Sequence, residues 1–502
     1  MRGRARRDGG GAGVPSSREA VIGLELHVQL RTDEKLLCPC PVRFGEAPNT
    51  RVCPVCLGLP GALPVLNREA VELAVRAALA FGCTVRERSL FARKHYLYPD
   101  LPKGYQITQF EAPLARGGVF VAGGGTGAEA EGEGIRVRIR RLHLEEDAGK
   151  LVHDRFEGMT AVDLNRAGTP LAELVTEPEL GSPAEARAWL VEVKRVLEYL
   201  EVSDCSMEEG SLRVDANVSI RRAGSEGLGP KTELKNLNSF SGVERALEVE
   251  LARQRGIVEA GGRVAAETLL WDERRGEVRP MRAKEESPDY RYFPDPDLPP
   301  LVVSRGWIEG VAAGLPELPG ARRARFREVY GLSDRDAGVL TAERGLADVY
   351  EAVAGATGDP KEAANWVMGP VLAAAGARGI EAGALPLDAG ALAELIGLVR
   401  AGRINRRVAR RVLDEMLDRG GAGGAAESPG AIVEERGWAL VSDEARLERW
   451  LEEAVAAHPE AWARLHAGEE RLRGFFIGEV MKRSGGRADP KGVARLIGER
   501  VG

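Results

Sequence analysis

The sequence predicts an α+β fold, with a large mixed β-rich N-terminal domain, an all-helical middle domain and a small helical C-terminal tail domain. Three observations carry that prediction. From residue 21 to about 301, apolar residues repeatedly alternate with polar ones, the period of half-buried strands. From about Pro316 to the end the apolar spacing turns helical. Two stretches interrupt the pattern. Residues 287–300 (SPDYRYFPDPDLPP) are too dense in Pro and Asp to continue a helix or a central strand, and read as the loop leaving the front domain. Residues 419–429 (RGGAGGAAESP) are Gly/Ala-rich and linker-like. The expected division is a disordered leader at 1–19, a β-rich domain at 20–301, a helical domain at 302–424 and a helical tail at 425–502. At ~100–200 residues per domain, a chain of 502 residues has room for such a division.

The elements follow in order. The leader is rich in Arg and Gly, has no apolar core, and carries four glycines among residues 9–13, a poor helix. Ile22, Leu24, Leu26, Val28 and Leu30 then alternate with Gly23, Glu25, His27, Gln29 and Arg31, which gives a strand with one apolar face. Asn67 is placed to cap a helix ending at Gly82. The Gly-rich run at 117–134 turns a hairpin, its 122–134 part a local extension, and IRVRIR at 135–140 is a strand with Ile135, Val137 and Ile139 inward. The apolar phase then shifts to Leu142 and Leu144, so a bulge is expected near Arg140 and Arg141. Capping boxes at Ser182/Glu185 and Ser241/Glu244 open two helices. Between them Leu212, Val214, Ala216, Val218 and Ile220 alternate with Arg213, Asp215, Asn217 and Ser219 in another strand.

Composition excludes several classes. Charged residues are 29% and hydrophobic ones 44%, so the chain has ample material for cores. No uninterrupted run of ~18 apolar residues exists, so no membrane partner is expected. The N-terminus lacks the apolar core of a secretory signal, and a cytoplasmic location is expected. A net charge of −6 is not that of a polycation coating nucleic acid. There is no G-x-x-x-x-G-K-[ST] phosphate loop and no G-x-S-x-G nucleophile motif.

Four of the six cysteines cluster as Cys38-Pro-Cys40 and Cys53-Pro-Val-Cys56. Two close thiolate pairs joined by a loop can converge on a tetrahedral zinc, and four reduced buried cysteines are the alternative. Cys83 and Cys205 have no companions and read as small core residues.

Glu25, His27 and Gln29 share a strand face that meets solvent or a cavity. Glu145, Glu146 and Asp147 end a long strand, Glu173 alternates within 171–176, and Glu208 and Glu209 precede the strand bearing Asp215. Acidic side chains recurring at strand ends suit a hard divalent cation, which can hold nucleotide phosphates; scattered surface carboxylates are the alternative. Arg93, Lys94, His95, Lys103, Arg166, Lys231 and Lys235 are candidate phosphate cations. Two basic blocks stand out further on. Arg403, Arg406, Arg407, Arg410 and Arg411 mostly share one helix face. From Arg471 onward eight basic residues (Arg471, Arg473, Lys482, Arg483, Arg487, Lys491, Arg495, Arg500) face three acidic ones, a local excess of five. A solvated helix face and a contact surface for a nucleic-acid backbone are the two readings of each.

Several of these segments resemble one family. VIGLELHVQL, HYLYPDLPKGYQITQ, RLHLEEDAGK, VDLNRAGTPLAELVTEPE, MEEGSLRVDANVSI, KTELKNLNSFSGVERALE and DYRYFPDPDLPPL look like the B subunit of the aspartyl/glutamyl-tRNA amidotransferases. GFFIGEVMKRSGGRADPKGVARLI looks like that family's C-terminal module. The resemblance spans nearly the whole chain after about residue 20. It implies a cradle-like kinase/transamidase domain at the front, and a heterotrimer completed by an amidase, the A subunit, and a small C subunit. It implies ATP-dependent phosphorylation of the side-chain carboxylate of Glu-tRNA(Gln) or Asp-tRNA(Asn), then amidation by ammonia from the amidase. Matched residue by residue, it implies Mg²⁺ (or Mn²⁺) on His27, Glu146 and Glu173 with Glu25 beside them. Glu146 is taken over Glu145 on the motif match, not on periodicity. The four cysteines match a structural zinc knuckle at 38–56, and Lys94, Tyr96 and Lys103 lie in the signature loop as substrate or phosphate contacts. Two other readings are a non-catalytic tRNA-binding scaffold and the related archaeal E subunit. The latter carries an extra inserted domain, for which the chain between KTELKNLN and the tail is too short.

Overall fold

The computed structural model describes residues 18–123, 134–225, 227–281, 290–420, 428–441 and 443–502. Most of the expected leader, the tip of the hairpin extension, the start of the Pro/Asp stretch and most of the Gly/Ala linker lie outside them. The described chain is α+β and forms two units, Met1–Ala324 and Arg325–Gly502.

The first unit is built on a ten-stranded sheet. Its order is Glu277–Pro280, Glu267–Asp272, Thr232–Leu237, Leu212–Arg222, Arg18–Gln29, Pro170–Thr176, Ile135–Glu146, Ala115–Arg116 and Thr84–Val85, with Val119–Ala122 also pairing Ile135–Glu146. All pairs are antiparallel except that between Thr232–Leu237 and Glu267–Asp272. Alternation decides which face is buried. Ile22, Leu24, Leu26, Leu142, Leu144, Leu174, Val214 and Val218 join one core with Val75 of helix Arg68–Ala80, Trp189 and Val193 of helix Pro183–Tyr199, and Leu247 of helix Phe240–Glu259. Residues of opposite phase in the central strands are therefore left to make a polar face.

Local signals hold closely. Asn67 Oδ1 accepts from Glu69 N at 2.9 Å and Ala70 N at 3.2 Å, and Gly82 follows that helix at φ 68°. Ser182 Oγ accepts from Glu185 N at 3.2 Å, while the Glu185 carboxylate reaches back to Gly181 N at 2.9 Å. The bulge is present: Val175 opposes Arg141 and Thr176 opposes Ile139, leaving Arg140 as the extra residue.

Three expectations change. The cap of the third helix lies two residues before Ser241, at Ser239, which is the last extended residue after the strand (φ −158°, ψ 156°) and whose Oγ accepts from Gly242 N at 2.9 Å. The Pro/Asp stretch, described from Tyr290, does not leave the domain. Phe293–Pro294 pairs with strand Ala92–His95, and Arg93 holds Asp295 at 2.7 Å and Asp297 at 2.9 Å. The unit then continues past 301, because helix Arg305–Ala313 lays Trp307, Ile308 and Val311 on its core.

The second unit is helical and has two apolar clusters. One runs from Phe326 to Val433, the other from Leu447 to Ile497. A five-residue π turn at Val367–Val371, containing Pro370, interrupts the first cluster's helices. No described helix is long and apolar enough to cross a membrane.

Candidate active site

The polar face of the central strands carries a dense group of ionisable side chains. Register makes it. His27 lies opposite Glu173 on one side and Arg213 on the other, and Glu173 in turn lies opposite His143. One row across four strands thus reads Arg213, His27, Glu173, His143. Glu25 opposes Asp215 and Val175 in the row on one side, and Glu145 opposes Leu171, itself opposite Gln29, in the row on the other.

Within this group His27 Nε2 is 3.4 Å from Glu173 Oε2, 3.5 Å from Glu145 Oε1 and 3.9 Å from Glu25 Oε1. Arg141 Nη2 donates to Glu173 Oε1 at 3.1 Å, and Thr108 Oγ1 to Glu145 Oε2 at 3.2 Å. Burial alone would lower the His27 imidazole, but Glu173 and Glu145 outweigh it and raise it to about 9. Burial likewise opposes the charge of Glu173, yet His143, His27 and Arg141 hold it well below the usual carboxylate range. Glu25 is raised, first by burial and then by repulsion from Glu173. Carboxylate and imidazole atoms facing one another at such distances suit a shared divalent cation, which would take the place of the His27 proton.

The structure brings Glu25, His27 and Glu173 together and leaves Glu146 out. Glu146 follows Glu145 along the strand and so points to the opposite face. There its Oε1 accepts from Ile107 N at 2.9 Å and pairs with half-buried Lys103. Glu146, expected in this group, thus lies apart from it, and Glu145 stands beside His27 in its place. The signal was in the sequence: continuing the Leu142, Leu144 alternation puts Glu146 on the apolar side. Arg141, His143 and Arg213 also belong to this face, and none of them stood out in the sequence.

The phosphate candidates divide as well. Arg166 is used to hold a turn, donating to Ala148 O at 3.0 Å and Gly149 O at 2.6 Å, and Lys103 is taken by Glu146. Lys235 binds Asp215 at 2.7 Å and Glu233 at 3.1 Å. Lys94 has no carboxylate partner among the described residues. Its ammonium lies over the rings of Tyr290, 4.8 Å from the centroid, and Tyr96, at 5.8 Å. The Tyr96 phenol is pushed up by burial and then by Glu145 and neighbouring carboxylates.

The Sγ atoms of Cys38, Cys40, Cys53 and Cys56 lie within 4.8 Å of one another. The Cys53 and Cys56 sulfurs are 4.0 Å apart, close to the ~3.8 Å edge that Zn–S bonds of ~2.3 Å impose on a tetrahedron. Hydrogen bonding from Cys38, then from the Cys53 backbone, and the charge of Lys35 outweigh burial and lower the Cys56 thiol to about 4. Lys35 Nζ, buried, is 3.7 Å from Cys56 Sγ and donates to Arg51 O at 2.8 Å. This set fits zinc. Cys83 and Cys205 are buried and unpaired by disulfides, and burial pushes each up to about 12.

In the helical unit Arg403, Arg406, Arg407, Arg410 and Arg411 are all exposed. Arg411 stacks on Trp438 at 4.1 Å and Arg406 lies 3.5 Å from Glu362, while the other three have no carboxylate partner among the described residues. The tail differs. Arg471, Arg473, Arg483, Arg495 and Arg500 are all in ion pairs. Four of them pair with Glu469, Glu470, Glu444 and Glu452, which lie outside the window in which the basic excess was counted.

A sheet with a carboxylate–imidazole row on one face and a helical layer on the other defines the class: residues 20–309 match the GatB/GatE catalytic domain, and residues 348–501 the GatB domain. The chain is 49% identical to the aspartyl/glutamyl-tRNA(Asn/Gln) amidotransferase B subunit of Moorella thermoacetica, over 96% of this chain and 99% of that protein. It is 47% identical to the B subunit of Carboxydothermus hydrogenoformans and 48% to that of Geobacter sulfurreducens, over 96% of this chain and 98% and 99% of theirs. The chain belongs to the family of aspartyl/glutamyl-tRNA(Asn/Gln) amidotransferase B subunits.

Proposed function

We propose that this chain is the carboxylate-activating component of a glutamine-dependent tRNA amidotransferase. It phosphorylates the side-chain carboxylate of Glu-tRNA(Gln) or Asp-tRNA(Asn) with ATP, then passes the acyl phosphate to ammonia. The ammonia comes from an amidase, the A subunit, in a heterotrimer with a small C subunit. The row Arg213, His27, Glu173, His143, with Glu145 and Glu25 beside it, carries this reading.

A carboxylate is a poor electrophile because oxide is a poor leaving group. In the first step a carboxylate oxygen attacks the γ-phosphorus, the bond to the β–γ bridging oxygen breaks, and ADP leaves. In the second, ammonia adds to the acyl carbon, phosphate leaves, and a proton is lost from nitrogen. A divalent cation, Mg²⁺ or Mn²⁺, held by His27, Glu145 and Glu173, would offset charge on the transferring phosphoryl group. Arg141 orients Glu173 from the far side, and Lys94, braced between two tyrosine faces, is the cation free to meet a phosphate. Zinc in the four-cysteine knuckle is structural. The exposed arginine block at 403–411 contacts the tRNA backbone.

Glu145→Gln and His27→Ala are expected to lower ATP hydrolysis dependent on misacylated tRNA by roughly 10²–10³-fold while leaving tRNA affinity intact. A wild-type complex that binds Glu-tRNA(Gln) but hydrolyses no ATP with it would favour the scaffold reading instead.

A further inference from the structure

Lys35 is a buried cation with no carboxylate beside it. It is 1% exposed, and no Asp or Glu among the described residues pairs with its ammonium. That ammonium donates to Arg51 O at 2.8 Å and Leu164 O at 3.5 Å, and lies 3.7 Å from Cys56 Sγ. These make one acceptor for each ammonium proton. The carbonyls are neutral. A charge taken out of water needs an opposite charge close by, and here only the sulfur can supply it. Four thiolates on one Zn²⁺ carry more negative charge than the ion cancels, so a loaded cluster is the anion this site calls for.

The loop between the cysteine pairs is laced to a distant segment. Asn165 Oδ1 accepts from Arg51 N at 2.8 Å, and its Nδ2 donates to Ala47 O at 2.7 Å. Asn49 Oδ1 accepts from Leu164 N at 2.8 Å, and its Nδ2 donates to Val162 O at 3.0 Å. Beyond Leu164 the chain turns into strand Pro170–Thr176, which carries Glu173. Gly168 of that turn, at φ 86°, passes so close that a Cβ there would stand 3.5 Å from Lys35 Cδ and 3.6 Å from Cys56 Cβ. Its N–H donates to Asp147 O at 2.9 Å, and Asp147 N donates to Thr169 O at 2.8 Å. The Asp147 carboxylate so seated holds Gln29 and Arg213, each at 3.0 Å, and Arg213 stands opposite His27.

We propose that Lys35 is a positioning residue that couples the four-cysteine cluster to the polar face: the metal-bound Cys56 thiolate holds its ammonium, and the ammonium fixes the Arg51 and Leu164 carbonyls and with them the turn that seats Asp147. This rests on the reading of the four cysteines as a zinc site. The zinc then has a task that reaches past its own loop. Without it the ammonium loses its counter-charge, and the turn at 164–169 loosens. The coupling also acts in the other direction. An N–H held against a metal-bound thiolate draws electron density from the sulfur, as outer-shell hydrogen bonds do at metal sites.

The test uses the reduced full chain with Co²⁺ exchanged for zinc, read by its sulfur-to-cobalt charge-transfer band and by amide hydrogen exchange. In Lys35→Met the band should move to lower energy, and the amides of residues 164–169 should exchange at least roughly tenfold faster, while helix Phe240–Glu259 keeps its protection. Lys35→Arg, which keeps a cation and N–H donors, should restore the band and the protection. An unmoved band, or faster exchange confined to residues 38–56 or spread equally to that helix, would overturn the coupling. Should Lys35→Met not fold, stripping the metal from the unsubstituted chain reads the same coupling: exchange should rise at 164–169, and a rise confined to 38–56 would overturn it. A chain that shows no cobalt–thiolate band would overturn the zinc reading, a failure with its own signature.

Discussion

A one-residue step along strand Ile135–Glu146 moves a carboxylate from the polar face to the core face, and the two glutamates there have different tasks. Glu145 faces His27 and His143, whereas Glu146 is the buried counter-charge of Lys103. Their glutamine variants should therefore fail differently. Glu145→Gln should leave the urea midpoint near that of the parent while activity falls. Glu146→Gln strands the Lys103 ammonium and should cost about 3–5 kcal/mol of unfolding free energy in the same measurement. Motif matching could not separate the two, because both lie inside RLHLEEDAGK. Periodicity could, once the bulge at Arg140 had reset the phase. His143 and Arg213 were hidden for another reason: their role comes from which strands are neighbours, and pairing order is not written in any one strand's alternation.

At the scale of elements, capping and alternation were legible because both are local. Asn67 is a clear case, giving up two capping hydrogen bonds if substituted, besides those its amide donates to Glu34 O and Lys35 O, and Asn67→Ala should lower unfolding free energy by at least about 1 kcal/mol. The Pro/Asp stretch was misread because Pro excludes a central strand but not a short edge strand, and its aspartates have a distant partner in Arg93. The four-cysteine cluster, which fits the proposed zinc, is legible from spacing, and the structure adds the buried Lys35 against Cys56. Removing the metal with a strong chelator from reduced protein should lower the melting temperature. It should also release about one zinc per chain; finding none in freshly purified reduced protein would remove the knuckle from this account.

Across the whole molecule, charge counting and charge placement give different answers. A net −6 conceals an arginine block at 403–411 that is exposed and partly unpaired, while the tail's basic excess is largely neutralised by its own carboxylates. These salt bridges could not be seen in a window that began after most of their acidic partners. Paired Arg407→Glu and Arg410→Glu substitutions should weaken tRNA binding and flatten its salt dependence, by a slope of ~1 for each phosphate no longer neutralised. Arg495→Glu should do much less.

The central claim is that the face bearing His27, Glu145 and Glu173 activates a carboxylate on tRNA. Its most direct test is to mix the purified complex, withheld from any ammonia source, with Glu-tRNA(Gln) and γ-labelled ATP. Hydroxylamine is then used to trap the acyl phosphate. The expected product is a tRNA-linked hydroxamate, formed with release of one labelled phosphate, that disappears in Glu145→Gln. An undiminished hydroxamate yield in Glu145→Gln and His27→Ala would contradict the claim.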